Sequence, residues 1–141
     1  MTTTLHQESV HRELVISSVP DEIARVEQFI DHLNEDLRFK EDVYGNILIA
    51  VTEAVNNSIK HGNAQSEAKK VRITGDLEKG YRLTIRVEDE GEGFDYDNLE
   101  DPTDPLNLLK EQGRGVFVMR QLSDKLSFKG DGNIVEMQFD I

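Results

Sequence analysis

The sequence predicts a two-layer α/β sandwich of the α+β class, with helices on one face of a mixed, mostly antiparallel sheet. Two observations support this fold class. Apolar residues recur at intervals of three and four in two segments of the first half of the chain, which is the period of a helix with one buried face. In later segments apolar and polar residues alternate, so each strand has a polar face and the sheet is covered on one side only.

Length and composition indicate one acidic domain. We expect residues 1–9 to form a flexible tail and residues 10–141 a single domain. The chain has 16 Lys and Arg against 28 Asp and Glu, a net charge of −12, which disfavours direct binding to nucleic acid or an anionic membrane. Cysteine, a signal-peptide pattern and apolar segments of membrane-spanning length are all missing from the sequence. We therefore expect a cytoplasmic protein that binds another protein or a metal-chelated ligand.

The first elements are a strand and a helix. Leu14 and Ile16 alternate with polar neighbours and predict the strand. Ser18 and Asp21 lie three residues apart with Pro20 between them, a pattern typical of a capped helix start. The apolar positions of the helix that follows are Ile23, Val26, Phe29, Ile30, Leu33 and Leu37.

A second helix is predicted from about residue 41 to residue 61, with an apolar face broad enough to be well buried. Beside that face Glu53, Asn57 and His61 follow one another at intervals of four, so they share one edge. Glu53 can accept a proton or orient water, and the amide oxygen of Asn57 suits Mg²⁺ held mainly by phosphates and water. Solvated helix residues would show the same spacing. We interpret His61 as a residue favoured by the helix dipole, with Gly62 as a left-handed cap.

Two strands and an acidic loop come next. One alternating run begins at Val71, and a second extends from Tyr81 to Glu88. Gly75 and Gly80 mark the turn region between the two runs. The loop Asp89-Glu-Gly-Glu-Gly93 ends the second strand.

The C-terminal part contains a long connection, a helix and a hairpin. Residues 94–112 form a polar connection with a short helical piece after Asp104-Pro105. Gly113-Arg-Gly115 leads into a helix predicted from Val116 to about Asp124. The hairpin that follows turns at Gly130-Asp-Gly-Asn133.

Of the two glycine pairs, Gly113 and Gly115 form the better phosphate site. Free backbone N–H groups and the positive end of the helix dipole lie where a helix begins, and Lys110 and Arg114 add positive charge nearby. An ordinary loop-to-helix turn would show the same spacing. Neither pair is a dinucleotide fingerprint, because the third glycine is missing.

The acidic loop suits a nucleotide base better than a phosphate. The carboxylate of Asp89 can accept a hydrogen bond from an exocyclic amino group such as that of adenine. Gly91 and Gly93 would let the backbone pass close to the flat base. We therefore expect the base at this loop and the phosphates at the other glycine pair.

Three motifs thus stand in order along the chain. They are Glu53-Ala-Val-Asn-Asn57 on a helix, Asp89-Glu-Gly-Glu-Gly93 after a strand, and Gly113-Arg-Gly115 before a helix. In this order they resemble the N box and the two glycine boxes of the histidine kinase-like ATPase fold, which gyrase, heat-shock chaperone ATPases, histidine kinases and mismatch-repair ATPases share. The stretches TEAVNNSIKHGN and GRGVFVMRQLSDKL resemble, more narrowly, the anti-sigma factor serine/threonine kinases of bacterial partner-switching systems.

The resemblance spans roughly residues 10 to 141 and implies an activity. It implies Mg²⁺-ATP binding and transfer of the γ-phosphate to a serine or threonine of an anti-anti-sigma (STAS-type) partner. It also implies sequestration of a sigma factor, often by a homodimer. Asn57 matches the Mg²⁺-coordinating asparagine of that family, and Glu53 matches the carboxylate that activates the attacking hydroxyl.

The resemblance also assigns the two glycine boxes. Asp89 matches the adenine-reading aspartate, with Gly91 and Gly93 beside it. Gly113 and Gly115 match the glycines near the phosphates.

The expected function is therefore that of an ATP-dependent protein serine/threonine kinase that regulates a sigma factor. One alternative is a nucleotide-gated binding module, which grips its partner when ATP orders the segment 98–112 and performs no chemistry. A weaker alternative is an acidic metal-binding protein with a calcium loop at residues 89–100. The third and sixth positions of that loop hold Gly91 and Phe94, where an EF-hand requires an oxygen ligand and a glycine.

Overall fold

The computed structural model of the chain describes residues 9–91 and 111–141. Its elements, in chain order, are strand β1 (Ser9–Ser17), a 3₁₀ turn (Pro20–Glu22), helices α1 (Ile23–Leu37) and α2 (Glu41–Asn57), a π-helical turn (Ser58–Gly62), strands β2 (Lys70–Glu78) and β3 (Arg82–Glu88), helix α3 (Glu111–Leu122), and strands β4 (Lys125–Lys129) and β5 (Ile134–Asp140). These strands form one sheet in the order β1-β2-β3-β5-β4, and each neighbouring pair is antiparallel. The predicted α+β sandwich is confirmed. Residues 94–110 of the predicted connection 94–112 and residues 1–8 of the predicted tail lie outside the described residues, whereas residues 111 and 112 belong to α3.

Side-chain alternation places one face of the sheet in the core. In β3 the side chains of Leu83, Ile85 and Val87 are fully buried, and β2 and β5 show the same alternation. The apolar faces of α1 and α2 join these side chains in a single core. Ion pairs such as Arg72–Glu13 at 3.1 Å lie on the exposed strand positions. In the described part of the chain, none of the helices combines the length and the apolar character needed to cross a membrane.

Gly75 lies inside β2, so the prediction that it marks a turn is wrong. The turn between β2 and β3 instead uses Lys79 and Gly80, whose φ angles are 57° and 76°. A Cβ atom on Gly75 would lie 3.3 Å from side-chain carbons of Leu33 and Ile85. The missing side chain therefore lets α1 approach the sheet closely, and packing has overridden the turn preference of glycine.

Ser18 does not cap the helix start, so this prediction is also wrong. The residue that precedes the 3₁₀ turn is Val19, and no side chain caps the turn or α1. Ser18 is fully buried, and its hydroxyl donates to the carbonyl of Lys69 at 2.7 Å. The hydroxyl that the local pattern assigned to the helix start therefore bonds to Lys69, which is distant in sequence.

Gly62 does not act as a left-handed cap. The helical stretch continues beyond α2 into the π-helical turn, which the Asn63 N–H closes by donating to the Ser58 carbonyl at 2.8 Å. Left-handed conformations occur two and three residues later, at Ala64 (φ 51°) and Gln65 (φ 59°). The π-helical turn keeps the backbone helical through Gly62. The left-handed residues that reverse the chain therefore come after it, at Ala64 and Gln65.

Candidate functional site

A cavity of about 260 Å³ lies where α2, α3, the end of β3 and the β4–β5 hairpin meet. Its walls combine apolar side chains with a few convergent polar groups, the composition typical of small-molecule sites. The apolar residues are Ala54, Val87, Val116, Met119, Phe128 and Val135, and the polar ones include Asn57, Ser58, His61, Asp89 and Asn133. The structure thus brings all three sequence motifs to one place, because each contributes at least one residue to these walls or packs directly behind them.

Several hydrogen bonds hold Asp89 in the wall of the cavity. Its side-chain oxygen Oδ1 accepts from the Gly91 N–H at 2.9 Å. Its backbone N–H donates to the Asn133 carbonyl at 3.0 Å, and its carbonyl accepts from Asn133 Nδ2 at 3.1 Å. The hairpin turn therefore holds the main chain of Asp89 from one side, at the wall of the cavity that this residue lines.

Burial raises the pKa of the Asp89 carboxyl, because only 7% of the residue is exposed and the charged form loses hydration. Hydrogen bonds from the Gly91 N–H and the Ser58 side chain act in the opposite direction and lower the pKa, since they stabilise the carboxylate. The nearby charge of Glu88 raises the pKa and that of Lys69 lowers it. Asp89 is thus a largely dehydrated acceptor, available to a ligand that brings its own donor.

Two glycines allow the π-helical turn to touch the loop that carries Asp89. A Cβ atom on Gly62 would overlap the Asp89 carboxylate, and one on Gly91 would overlap the Gly62 carbonyl. Gly91 therefore has a structural reason to be glycine, namely this contact between backbones. Its predicted role beside a bound base stays a prediction.

The structure describes helix α3 from Glu111 onward, so the prediction of a helix start at Val116 is wrong. Gly113 and Gly115 consequently lie within the helix and not before it. Glycine lowers helix propensity, which is why the local pattern indicated a later start. A Cβ atom on Gly115 would lie 2.8 Å from Nδ2 of Asn57. This glycine therefore lets α3 pack directly against the polar edge of α2.

The remaining predicted residues lie around the cavity. Glu53 precedes Asn57 by one turn of α2, is partly exposed and does not line the cavity. Arg114 is an exposed residue of α3. Gly93 and Lys110 lie outside the described residues.

Sequence reasoning missed three residues that shape the site, namely Ser58, Asn63 and Asn133. Asn63 is fully buried, and its Oδ1 accepts from the Glu90 N–H at 2.8 Å. Glu90 in turn accepts from the Lys70 N–H through its carboxylate. Glu90 of the acidic loop thus connects that loop to β2. Asn133 stood in a predicted turn, which was the only local signal for it.

The described residues contain no group of three or more His, Cys, Asp or Glu side chains placed to hold a metal ion. A cation in the cavity would therefore need most of its ligands from a bound molecule and water. The amide oxygen of Asn57 fits such a cation, because Mg²⁺ commonly takes one or two protein ligands plus phosphate oxygens. Most of the loop considered for calcium lies outside the described residues.

Comparison with known proteins identifies relatives over nearly the whole chain. The family model described as the histidine kinase-like ATPase domain matches residues 16–139. The chain is 32% identical over 128 residues to the anti-sigma F factor of Clostridium beijerinckii, covering 84% of this chain and 80% of that one. It is 29% identical over 129 residues to the serine-protein kinase RsbW of Halalkalibacterium halodurans, covering 87% and 78%.

Two of the solved structures that resemble this chain illustrate the shared fold. The chain superposes on the RsbU and RsbW domains of a Mycobacterium tuberculosis protein with a TM-score of 0.68 at 11% identity, covering 93% of this chain and 32% of that one. For the histidine kinase domain of the Erythrobacter litoralis blue-light activated histidine kinase the TM-score is 0.55 at 22% identity, with 84% and 58% covered. This chain thus corresponds to about a third of the first structure and somewhat over half of the second.

Proposed function

Because this chain belongs to the histidine kinase-like ATPase domain family, we propose that it is an ATP-dependent serine/threonine protein kinase of the anti-sigma factor type. It phosphorylates an anti-anti-sigma (STAS-type) protein and sequesters a sigma factor. Its similarity to proteins named serine-protein kinase RsbW and anti-sigma F factor, over more than four fifths of its length, supports this activity.

The observation that carries the proposal is the convergence of the three motifs on one cavity. Asn57 and Asp89 line it, and Gly115 packs against Asn57. These residues come from α2, the end of β3 and α3, which are far apart in sequence. A nucleotide would bind here with its base at Asp89 and its phosphates toward Asn57 and α3.

At the base end, Asp89 accepts a hydrogen bond from the exocyclic amino group of adenine. The fixed main chain of this residue and its burial support the assignment, because a dehydrated, immobile carboxylate discriminates strongly between a donor and an acceptor. Apolar side chains such as Val87 and Met119 on the same walls would contact the faces of the base. Gly91 and Gly93 belong to this end of the site.

At the phosphate end, Asn57 coordinates Mg²⁺ through its amide oxygen. The metal would neutralise charge on the phosphates, which a chain of net charge −12 needs in order to bind an anionic ligand. Gly113 and Gly115, which lack side chains, would let the phosphates approach the backbone of α3. The other residues that we assign to this end are Lys110, Gly113, Arg114 and Gly115.

Glu53 is the proposed catalytic base. It is one helical turn from Asn57 and partly exposed, so a hydroxyl of a protein partner can reach it. The serine oxygen of the partner bonds to the γ-phosphorus while the bond from that phosphorus to the bridging oxygen of ADP breaks. The hydroxyl proton passes to the Glu53 carboxylate, and ADP leaves.

We further propose that the protein works in the cytoplasm as a homodimer, without direct contact to nucleic acid. The acidic net charge supports the last point, and the resemblance to anti-sigma factor kinases supports the first two.

Phosphoryl transfer tests the proposal. We expect labelled phosphate to pass from Mg²⁺-ATP to an anti-anti-sigma protein of the same organism, and not to its variant with alanine at the acceptor serine. Glu53→Ala should lower the transfer rate by about 10²- to 10⁴-fold and leave the Kd for ATP unchanged. Glu35→Ala, the same change at an exposed residue of α1, should alter neither quantity. Tight ATP binding without transfer to any such partner would identify the chain as a nucleotide-gated binding module instead.

A further inference from the structure

We propose that Asn63 is a positioning residue for adenine recognition, acting through the backbone of the loop that carries Asp89. The inference rests on the proposed function, in which Asp89 reads the base. Asn63 does not line the cavity, so it has no direct contact with a ligand there. Its effect on base selection would be indirect.

The side chain of Asn63 connects three parts of the fold. Its Oδ1 accepts from the Glu90 N–H at 2.8 Å. Its Nδ2 donates to the Lys70 carbonyl at 2.9 Å and to the Ser18 hydroxyl at 2.8 Å. The acidic loop, the start of β2 and the residue that follows β1 are thereby joined at one fully buried amide.

The chemistry of these partners leaves one orientation for the amide. A backbone N–H can only donate and a backbone carbonyl can only accept, so Oδ1 must face Glu90 and Nδ2 must face Lys70. The Ser18 hydroxyl donates its own proton to the Lys69 carbonyl at 2.7 Å, which leaves its oxygen free to accept from Nδ2. Both amide protons are therefore used, and the amide is held rigidly.

This rigid amide is one of two asparagine side chains that anchor the backbone of the loop that carries Asp89. On one side Asn133 holds the backbone of Asp89 through bonds of 3.0 and 3.1 Å. On the other side Asn63 holds the next residue, Glu90. These two anchors hold the backbone on both sides of the Asp89 side chain, as selective recognition requires, because a ligand group must be met to within about 0.5 Å.

Removal of the Asn63 anchor should therefore loosen base recognition and spare phosphate binding. The proposed phosphate contacts lie on α2 and α3, and the contacts of Asn63 described above involve neither helix. A residue that merely stabilised the fold would weaken all ligands equally. The ratio of affinities for two nucleotides that differ only at the base separates these cases.

The experiment compares ATP with inosine triphosphate, in which a carbonyl replaces the adenine amino group, and with inorganic tripolyphosphate, which has no base. Kd values are measured by calorimetry with Mg²⁺ on the full chain, at a temperature where each variant is folded by circular dichroism. We expect the wild-type protein to prefer ATP over inosine triphosphate by about 10-fold or more, the effect of one hydrogen bond to a charged group.

Asn63→Ala should bring this preference close to 1 and leave the tripolyphosphate Kd within about twofold of the wild-type value, which we take as the margin of such a measurement. Asn63→Ser, which keeps a polar side chain, replaces the alanine variant if that variant folds poorly. The serine side chain is too short to keep the bond to the Glu90 N–H, so it tests the same anchor. Ser18→Ala is the matched control. It removes one partner of Nδ2, keeps the Glu90 bond, and should retain most of the preference.

The outcomes separate the two hypotheses. If the wild-type protein binds ATP no better than inosine triphosphate, Asp89 does not read the base and the proposed adenine site is wrong. If the wild-type protein prefers ATP and both Asn63 variants keep that preference, the positioning role of Asn63 is wrong while the adenine site stands. An equal loss of affinity for all three ligands would likewise reduce Asn63 to a structural residue.

Discussion

At the scale of single residues, Asp89 shows a conflict between stability and ligand binding. An ionised carboxylate is favoured by water, yet this one is buried, and burial raises its pKa above the ordinary value of 3.8. Hydrogen bonds from Gly91 and Ser58 offset part of that effect. A residue that costs stability at neutral pH is expected where function requires it, which agrees with the proposed role in reading adenine.

We expect Asp89→Asn to raise the free energy of unfolding at pH 7 while it abolishes the preference for ATP. The amide can still accept from the Gly91 N–H and donate to Ser58, so the neutral side chain keeps these partners and avoids the loss of hydration. The folded wild-type protein binds more protons than the unfolded chain between pH 3.8 and the higher folded-state pKa. Its stability therefore falls as pH rises through that window.

The stability difference between Asp89→Asn and the wild-type protein should accordingly be largest at neutral pH and shrink as pH falls through the same window. Urea unfolding at a series of pH values between 7 and 4 measures it. A variant that is less stable at pH 7, or a difference that does not change with pH, would contradict the burial effect as the cause.

At the scale of elements, the π-helical turn Ser58–Gly62 places the end of the α2 segment against the glycine loop. π-Helical turns are rare in proteins, and those that do occur often lie at functional sites. Here the turn brings Gly62 into direct contact with Asp89 and Gly91, and it leads straight into Asn63. An ordinary helix end with a left-handed glycine would have turned the chain away earlier.

We expect Gly62→Ala to weaken ATP binding by roughly 10- to 100-fold, because the new Cβ atom would displace the Asp89 carboxylate and small displacements of a recognition group are costly. The backbone at Gly62 is not left-handed, so strain is not the cause. Gly45→Ala is the matched control. It lies within α2, its Cβ would meet nothing within 4 Å, and it should stabilise the protein by about 0.5–1 kcal/mol.

Calorimetric Kd values for ATP together with unfolding free energies distinguish the two glycines. If both variants bind ATP with equal affinity, the structure accommodates a Cβ atom at Gly62 without weakening ATP binding, and the prediction is wrong.

At the scale of the whole molecule, the cavity lies where both helix and sheet elements end. Helices α2 and α3, strand β3 and the β4–β5 hairpin each contribute to its walls, and their apolar residues belong to one core. A ligand bound there contacts elements from both layers, so its binding free energy adds to the stability of the entire fold.

We expect Mg²⁺-ATP at about 100 times its Kd to stabilise the protein by about 2.7 kcal/mol, which corresponds to a rise in Tm of roughly 8 °C for a domain of this size. Chelation of the metal with EDTA should remove most of the shift, because the net charge of −12 repels an uncomplexed nucleotide. Differential scanning fluorimetry with and without EDTA measures both values. An undiminished shift in EDTA would argue against Mg²⁺ coordination by Asn57.

The sequence by itself determined the fold class and the order of the three motifs. Alternation along the β3 run and the spacing of Glu53 and Asn57 are local patterns, set by the periods of strand and helix, and they survive in the structure. Local patterns failed where a distant partner decided the outcome. Gly75 lies inside β2, where Leu33 of α1 packs against it, and the Ser18 hydroxyl donates to the Lys69 carbonyl.

Only the tertiary structure revealed what holds the loop that carries Asp89. Asn63 meets Ser18 and Glu90 across separations of 45 and 27 residues, and Asn133 meets Asp89 across 44. Hydrogen bonds over such separations leave no period or spacing in the sequence, because they depend on how elements stack and not on the neighbours of each residue. The roles of Asn63 and Asn133 are therefore visible only in the folded structure, where their hydrogen-bond partners lie beside them.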